Sequence, residues 1–273
     1  MSNPTIAFIG AGNMAASIIG GLVDAGHPAE LISAADPFPA SLERIAGVAP
    51  IRCCDDNASA ATGADVVILA VKPQVMAEAS ASIARAVSES GAVVVSIAAG
   101  ITTETLCARL GESTAVVRCM PNTPALLGLG ASGLYANPNT SSDQREMAAY
   151  ILDAVGTTCW VEQEGDLDAI TALSGSGPAY FFLFMEAMID SGIKLGLDRE
   201  TATQLAMQTG LGAASMAIED EADLVELRRR VTSPGGTTQA AVERFEADGL
   251  RRQVDAAMQA AFDRAQEMAR EMG

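Results

Sequence analysis

A glycine pattern near the start of the chain has the spacing of a pyrophosphate-binding turn. Gly10, Gly12 and Ala15 follow the pattern Gly-x-Gly-x-x-Ala, directly after the apolar run 5–9 and before a stretch with helical spacing that extends to Ala25. Gly10 permits a tight turn, Gly12 lets the backbone approach a ligand, and the first N–H groups of the helix carry partial positive charge. The string alone is weak evidence, but its place between a predicted strand and a predicted helix favours dinucleotide binding over a purely structural turn.

The acidic residue Asp36 bears on which dinucleotide would bind. It lies 36 − 10 = 26 residues after Gly10, slightly beyond the usual spacing of about 20 for a carboxylate that binds a ribose 2′-hydroxyl. A carboxylate there favours NAD and repels a 2′-phosphate, whereas Ala15 in place of a third glycine often accompanies NADP enzymes. Arg44 is the nearest base that could meet a 2′-phosphate. Asp36 could equally be an exposed turn residue, because Asp commonly begins turns.

The hydroxyl-rich loop 230–238 is a second candidate anion site. Its sequence, Arg-Val-Thr-Ser-Pro-Gly-Gly-Thr-Thr, bends at the proline and the glycines, carries four Ser and Thr hydroxyls and precedes a predicted helix. Backbone N–H groups could therefore converge on a small carboxylate, although Ser and Thr also commonly cap helices. Residues 171–178, which are also rich in Gly and Ser, are instead predicted to form a close turn between two helices.

The composition argues against several classes of chemistry. The chain has 273 residues with 17 Lys and Arg against 34 Asp and Glu, a formal net charge of −17, which disfavours a nucleic-acid partner. Its single histidine, His27, precedes a proline after a predicted helix and is expected to be an exposed loop residue. Ser-His-Asp hydrolysis and multi-histidine metal sites are therefore not expected. Five cysteines without C-x-x-C spacing argue against a disulfide framework or a zinc site, so no metal is predicted.

Apolar runs and helical stretches predict two domains. Strands are predicted at residues 5–9, 31–36, 65–71 and 92–98. Runs that are apolar on both faces, alternating with helical stretches, are typical of a doubly wound α/β domain of the Rossmann type. After residue 163 the pattern becomes helical, with helices at 178–195, 198–219 and 249–272. We therefore predict domains at residues 1–163 and 164–273, the second all-α.

The helices of the second domain indicate a partner subunit. Those at 178–195 and 198–219 carry apolar residues over most of their surface, and a small helical domain has few interior places for them, so we expect burial against a second subunit. Lys194 is expected to act as a C-terminal cap. The start of the chain lacks a basic signal-peptide region, and no apolar run reaches the ~18 residues of a membrane span. A cytoplasmic protein is therefore expected.

Five motifs give the sequence a resemblance to a known family. They are residues 8–15 Phe-Ile-Gly-Ala-Gly-Asn-Met-Ala, 70–73 Ala-Val-Lys-Pro, 120–124 Met-Pro-Asn-Thr-Pro, 173–180 Leu-Ser-Gly-Ser-Gly-Pro-Ala-Tyr and 231–238 Val-Thr-Ser-Pro-Gly-Gly-Thr-Thr. Over essentially its whole length the chain resembles the pyrroline-5-carboxylate reductases. The resemblance implies reduction of 1-pyrroline-5-carboxylate to L-proline by NADPH or NADH, the last step of proline biosynthesis. It also implies an N-terminal Rossmann domain and a C-terminal helical domain that forms a homodimer, which can belong to a larger ring of dimers.

The resemblance also implies roles for individual residues. Cofactor (NADP or NAD) contacts are expected at Gly10, Ala11, Gly12, Asn13, Met14, Ala15, Asp36, Asn57, Ala70, Val71, Lys72, Pro73, Ala98, Ala99 and Gly100. Substrate carboxylate contacts are expected on the backbone of the loop from Ser233 to Thr238, at Ser233, Gly235, Gly236, Thr237 and Thr238. The Thr238 hydroxyl is expected to be the catalytic group that hydrogen-bonds the ring nitrogen, and Glu164 to lie at the edge of the substrate pocket. Position 36 is commonly Ser or Thr in relatives that use NADPH, so Asp36 puts a strong NADP preference in doubt.

Two other functions fit parts of the sequence. A dehydrogenase of the 3-hydroxyacid type has a similar two-domain plan but relies on an inward-facing lysine, for which Lys194 is the only candidate. A non-catalytic NAD(P)-binding sensor would keep the fold but would have no need of the hydroxyl-rich loop 232–238.

Overall fold

A computed structural model describes residues 3–272 and contains one mixed sheet. Within those residues the strands are β1 Ile6–Ile9, β2 Ile32–Ala35, β3 Arg52–Cys54, β4 Val66–Leu69, β5 Val93–Ser96, β6 Val116–Met120, β7 Gly130–Ala136 and β8 Gly156–Trp160. Their order across the sheet is β3-β2-β1-β4-β5-β6-β7-β8. Neighbouring strands are parallel except for β6 and β7, which are antiparallel. The predicted Rossmann-type fold is confirmed, and its four predicted strands correspond to β1, β2, β4 and β5.

Helices connect the strands and then continue alone. They are α1 Asn13–Asp24, α2 Pro39–Val48, α3 Asn57–Ala61, α4 Met76–Ser90, α5 Thr103–Leu110, α6 Ser142–Asp153, α7 Asp166–Ile170, α8 Gly177–Lys194, α9 Arg199–Glu219, α10 Leu224–Arg230, α11 Thr237–Ala247 and α12 Leu250–Met272. The predicted helices at 178–195, 198–219 and 249–272 are confirmed as α8, α9 and α12. The Asp198 carboxylate accepts a hydrogen bond from the Thr201 N–H and so caps α9. Lys194 lies in the last turn of α8, as expected.

The sheet is buried on both faces because its central strands alternate between two apolar cores. Successive side chains of a strand point to opposite faces, so Ile6 and Phe8 of β1 belong to one buried cluster while Ala7 and Ile9 belong to the other. All four residues of each of β1, β2, β4 and β5 are buried. This double burial explains the continuous apolar runs in the sequence and holds the strand ends rigidly.

The strand order reverses direction beside β1. From β1 the chain adds β2 and β3 on one side, then β4, β5 and β6 on the other. Ligands of open α/β sheets bind in the crevice outside the carboxyl ends of the strands at such a switch point. The turn that begins at Gly10 follows β1 and therefore lies at this position.

The C-terminal helices expose large apolar side chains. On α8, Phe181, Phe182 and Leu183 are each about two-thirds exposed, and Leu205 and Leu211 of α9 are 55% exposed. Helices of this composition are normally buried, so these faces are free within the single chain and available to a second subunit. Among residues 3–272, no helix combines the length and apolarity needed to cross a bilayer.

The chain divides into two compact units whose limits differ from the predicted domains. One unit contains residues 1–176 and 261–273, and the other contains 177–260. Segment 164–176 stays with the first unit because Ile170 of α7 packs against Gly133 of β7, where a Cβ would overlap the Ile170 side chain. The last turns of α12 belong to the same unit because Met268 and Met272 pack on Gly100. The division at residue 163 therefore does not coincide with the compact units.

Residues 171–178 do not form the close turn that was predicted. Thr171–Gly175 continue α7 as a π-helical segment, and α8 begins two residues later at Gly177. A Cβ on Gly175 would lie 2.6 Å from the Met120 Cε, so Gly175 packs closely against the side chain at the end of β6. Single π-helical turns inside helices are often found at functional sites.

The prediction that His27 is an exposed loop residue is wrong. Its side chain is 2% exposed, and its Nδ1 lies 3.2 Å from the Tyr150 hydroxyl of α6. Burial without a second partner for Nε2 lowers the pKa of His27, and nearby Glu30 opposes this only in part. The imidazole is therefore a neutral packing residue between α1 and α6.

We expect Gly21→Ala in α1 to lower the free energy of unfolding by about 2 kcal/mol, because overpacked side chains force the backbone to shift. A Cβ at Gly21 would overlap the Ala154 carbonyl oxygen and lie 2.8 Å from the Val155 Cγ1. The matched control is Gly47→Ala in α2, whose Cβ would meet nothing within 4 Å and which should stabilise by about 0.5–1 kcal/mol. Denaturant unfolding at one protein concentration measures both. Equal effects of the two substitutions would contradict this packing.

We expect stability to fall as the pH drops below about 6.5, and this loss to be smaller in His27→Gln. The ordinary pKa of 6.5 applies to the unfolded chain, and the folded pKa lies below it, so the unfolded state takes up the proton first and acid favours unfolding. Thermal midpoints at pH 7.5 and 5.5 measure the loss for both proteins. Because few carboxyl groups titrate in that range, an equal loss in the variant would show that His27 is not responsible.

Candidate functional site

The turn after β1 is held against the end of β4 by backbone contacts. The Gly10 N–H donates to the Ala35 carbonyl at 2.8 Å, and the Ala70 N–H donates to the Ile9 carbonyl at 2.8 Å. Gly10 has a φ of +98°, and a Cβ there would lie 2.7 Å from the Ala70 carbonyl oxygen. Only glycine satisfies both conditions, so the tight turn predicted at Gly10 is present.

The N-terminus of α1 is open, and its first turn contains no acidic residue. Gly12 is the N-cap residue, and no side chain caps the helix within the described part of the chain. A Cβ on Gly12 would meet nothing within 4 Å. The N–H groups of Asn13, Met14 and Ala15 therefore begin a helix beside free space, which is the arrangement that binds a pyrophosphate. The residues present fit a dinucleotide.

Asp36 and Arg44 brace this turn from outside. The Asp36 carboxylate accepts hydrogen bonds from the Ala11 N–H at 2.7 Å and from the Phe38 N–H at 2.9 Å. Arg44 donates to the Ala11 carbonyl at 2.7 Å and to the Asn13 Oδ1 at 2.8 Å. Asp36 is thus a half-buried turn residue that also lies beside the first glycines, so its geometry is compatible with both roles considered for it.

The other predicted cofactor residues follow neighbouring strands or begin a nearby helix. Ala70, Val71, Lys72 and Pro73 follow β4, and Ala98, Ala99 and Gly100 follow β5. Since β1, β4 and β5 are adjacent and parallel, these segments meet at one edge of the sheet together with the glycine turn. Asn57 begins α3, and its amide donates to the Ser82 hydroxyl at 3.0 Å.

A small cavity lies beside the turn after β5. It is lined by Ala98, Ala99, Gly100, Arg118, Cys119, Met120, Leu167, Asp168, Thr171, Ala265 and Met268. Burial raises the pKa of the Asp168 carboxyl, an effect that Arg118 opposes. Complete burial also raises the pKa of the Cys119 thiol to about 12, so this thiol stays protonated and is not a nucleophile.

Glu164 is bonded within the chain. Its Oε1 accepts hydrogen bonds from the Thr103 N–H and from Arg118, and its Oε2 accepts one from the Thr103 hydroxyl, each at 2.7 Å. A carboxylate offers about four lone-pair sites, so most of its capacity is used. The structure brings Glu164 to the start of α5, next to the turn that carries Ala98 to Gly100.

The loop 231–236 leads into the N-terminus of α11. Gly235 has a φ of +71°, and its N–H donates to the Gln239 Oε1 at 2.6 Å. Gly236 is the N-cap residue and no side chain of the described chain caps α11, so the loop hydroxyls do not act as its cap. Thr237 and Thr238 form the first turn and are exposed. The N–H groups of Thr237 and Thr238 are uncapped at this helix start, whereas the Gly235 N–H is occupied by Gln239 and the Gly236 N–H donates to the Ser233 carbonyl at 3.0 Å.

Comparison with known proteins supports the resemblance over the whole length. A sequence model described as "Pyrroline-5-carboxylate reductase dimerisation" matches residues 164–268, and one described as "NADP oxidoreductase coenzyme F420-dependent" matches residues 5–100. Pyrroline-5-carboxylate reductase of Pseudomonas aeruginosa is 54% identical over 273 residues and covers 100% of both chains. The chain belongs to the pyrroline-5-carboxylate reductase family.

Further relatives of this family agree in sequence and fold. The pyrroline-5-carboxylate reductase of Haemophilus influenzae is 47% identical over 269 residues, 98% of each chain. The solved pyrroline-5-carboxylate reductase of Coxiella burnetii matches with a TM-score of 0.96 and 42% identity, covering 98% of this chain and 99% of that one. A Plasmodium falciparum pyrroline carboxylate reductase solved with NADP bound matches with a TM-score of 0.84 and 29% identity over 98% and 99% of the chains. Membership of this family does not support the 3-hydroxyacid dehydrogenase alternative.

Two buried polar residues near the site were not predicted as functional. Arg118 is 8% exposed although it lies in β6, and Asn122 is 9% exposed directly after that strand. Asn122 donates to the Ser174 carbonyl at 3.0 Å and accepts from the Ala131 N–H at 2.9 Å, which joins the π-helical segment to β7. The available signal was an arginine inside an otherwise apolar strand run, because such a charge needs a buried partner.

We expect Gly12→Ala to weaken cofactor binding at least tenfold without lowering the thermal midpoint, because the added methyl group occupies free space that the pyrophosphate would need. Gly10→Ala is the comparison, since its Cβ would collide with Ala70 and should lower the thermal midpoint itself. Titration of NADPH and NADH by fluorescence, with thermal unfolding of the same samples, measures both quantities. Unchanged cofactor affinity in Gly12→Ala would place the dinucleotide elsewhere.

Proposed function

We propose that this chain reduces 1-pyrroline-5-carboxylate to L-proline by hydride transfer from NADPH or NADH. The observation that carries the proposal is the full-length similarity to curated pyrroline-5-carboxylate reductases. The open, uncapped N-terminus of α1 beside Gly12 supports it independently, because it fits the pyrophosphate of such a cofactor.

The proposed cofactor residues all belong to one edge of the sheet. We propose that the turn Gly10 to Ala15 borders the pyrophosphate, with the N–H groups of Asn13, Met14 and Ala15 as its donors, and that segments 70–73 and 98–100 border the rest of the dinucleotide. Asn57 and Asp36 are proposed to contact its adenosine half. When bound, the reduced nicotinamide supplies the hydride to the carbon of the C=N bond. The chain itself has to position the cofactor and exclude competing reactions.

The proposed substrate contacts are provided by the loop that begins at Ser233. The segment that contains Ser233, Gly235, Gly236, Thr237 and Thr238 is proposed to bind the substrate carboxylate at the N-terminus of α11, where a helix favours anions. Its uncapped donors are the backbone N–H groups of Thr237 and Thr238. Glu164 is proposed to lie at the edge of the substrate pocket, where three hydrogen bonds within the chain hold its carboxylate in place. The backbone N–H groups at the N-terminus of α11 would thus bind the carboxylate without a basic side chain.

Reduction of a cyclic imine makes modest demands on acid–base groups. The carbon receives the hydride and the nitrogen must carry a proton, so the site mainly has to hold two reactants in contact. A threonine hydroxyl is a poor general acid, and we therefore propose that Thr238 orients the ring nitrogen and relays a proton from water. This accounts for a chain whose single histidine is buried away from the strand ends.

We propose that the protein acts as a homodimer, and that dimers can assemble into a larger ring. The match of residues 164–268 to a dimerisation domain supports the dimer. The exposed apolar side chains of α8 and α9 supply a surface for it. We further propose that the protein functions in the cytoplasm, and that residues 1–163 and 164–273 are its functional domains.

The assay that tests the function follows cofactor absorbance with 1-pyrroline-5-carboxylate as substrate and identifies L-proline as the product. Rates with NADPH and NADH in parallel determine the cofactor preference, on which Asp36 and Ala15 give opposite indications. No substrate-dependent oxidation of either cofactor would overturn the reductase assignment. Cofactor binding without turnover would instead indicate the non-catalytic sensor.

We expect Thr238→Ala to lower kcat about tenfold or more while the cofactor Kd stays unchanged, because only the hydroxyl that orients the ring nitrogen is lost. Thr238→Ser keeps that hydroxyl and should retain most of the activity. Steady-state kinetics and cofactor titration of both variants measure these effects. Wild-type turnover in Thr238→Ala would remove the role assigned to this residue.

A further inference from the structure

A buried ion pair lies next to the turn after β5. Arg118 donates from Nη1 to the Glu164 Oε1 at 2.7 Å, and the two side chains are 10% and 23% exposed. Glu164 also accepts from the backbone and the hydroxyl of Thr103. We call Thr103, Arg118 and Glu164 the Glu164 clamp.

The Glu164 clamp fastens the turn 97–102 at both ends. At its start, Ser96 is the last residue of β5 and is paired in the sheet with Arg118 of β6. At its end, Thr103 is the first residue of α5 and is held by Glu164. The Arg118 backbone thus pairs with one end of the turn, while its guanidinium group, through Glu164, holds the other.

The hydrogen bonds of the Glu164 clamp are of the strong kind. Each involves at least one ionised group, and such bonds are shorter and about twice as strong as neutral ones. A buried arginine that loses its carboxylate partner becomes an uncompensated charge, so the surrounding backbone must shift or admit water. Loss of the Glu164 carboxylate would therefore displace Thr103 and the turn 97–102 that precedes it.

We propose that Arg118 and Glu164 are positioning residues for the turn 97–102, which sets the place of Ala98, Ala99 and Gly100 in the cofactor site. Glu164 acts through Thr103 and does not contact the substrate. This inference rests on the proposed function, because it requires the turn to border the bound dinucleotide.

The test compares Glu164→Gln with the matched control Glu162→Gln. Both remove one negative charge from the same segment, but Glu162 is exposed. Glutamine cannot accept all three hydrogen bonds, since its amide group carries donors. We expect the NADPH Kd of Glu164→Gln, measured by direct titration without substrate, to rise about tenfold, because a binding site has to be held within about 0.5 Å of its productive geometry. The NADPH Kd of Glu162→Gln should match that of the wild type. The kcat of Glu164→Gln at saturating cofactor should stay within about twofold of the wild-type value.

A second pair of variants keeps the proposal testable if Glu164→Gln does not fold. Thr103→Val removes only the hydroxyl that donates to Glu164 and should raise the NADPH Kd, whereas Thr103→Ser keeps it and should restore wild-type affinity. A wild-type NADPH Kd in Thr103→Val would overturn the proposal, and so would a wild-type Kd in a folded Glu164→Gln. So would an increase confined to the KM for 1-pyrroline-5-carboxylate, which would make Glu164 a substrate contact. A wild-type protein that binds neither NADPH nor NADH would overturn the proposed function together with this inference.

Discussion

The interaction on which the account depends is that of an anion with free backbone N–H groups at the start of α1. The chain has a net charge of −17 and 17 basic side chains, so ligands with phosphate or carboxylate groups cannot rely on a basic surface. A helix N-terminus supplies donors and a partial positive charge without a charged side chain. A helix N-terminus can bind an anion in this way only where its backbone is accessible. A Cβ built on Gly12 would meet no atom within 4 Å, so the backbone at this position is accessible.

The rest of the first unit keeps those N–H groups in place. Two apolar cores bury β1, β4 and β5 on both faces, and the close approach of Gly10 to Ala70 fixes the distance between the ends of β1 and β4. Asp36 and Arg44 brace the turn after β1, and the Glu164 clamp braces the turn after β5. The turns that form the candidate cofactor site are therefore short, and the residues on either side of each turn are hydrogen-bonded to the sheet or to a polar side chain.

The regular part of this arrangement was predictable from the sequence, because it depends on local patterns. The runs that became β1, β2, β4 and β5 are continuous and apolar, and α8, α9 and α12 are long, so periodicity alone identified them. Strands β3 and β6 to β8, with the antiparallel pair of β6 and β7, were not individually predicted. Arg118 interrupts the apolar run of β6, and β7 contains small residues and glycine.

The other differences come from contacts between residues far apart in the chain. The buried His27 contacts Tyr150, which follows 123 residues later, and Gly175 of the π-helical segment packs against Met120 of β6. Glu164 is bonded to residues 46 and 61 positions away. No local pattern contains such information, and tertiary packing therefore decided the burial of the single histidine and the partners of Glu164.

The most direct test of the central claim uses a reduced cofactor that carries deuterium at both C4 positions of the nicotinamide, so that either face delivers the label. With 1-pyrroline-5-carboxylate and this protein, the account predicts that L-proline gains one deuterium at the carbon of the former C=N bond, as read by mass spectrometry. Proline formed without deuterium from the labelled cofactor, or no proline at all, would contradict it.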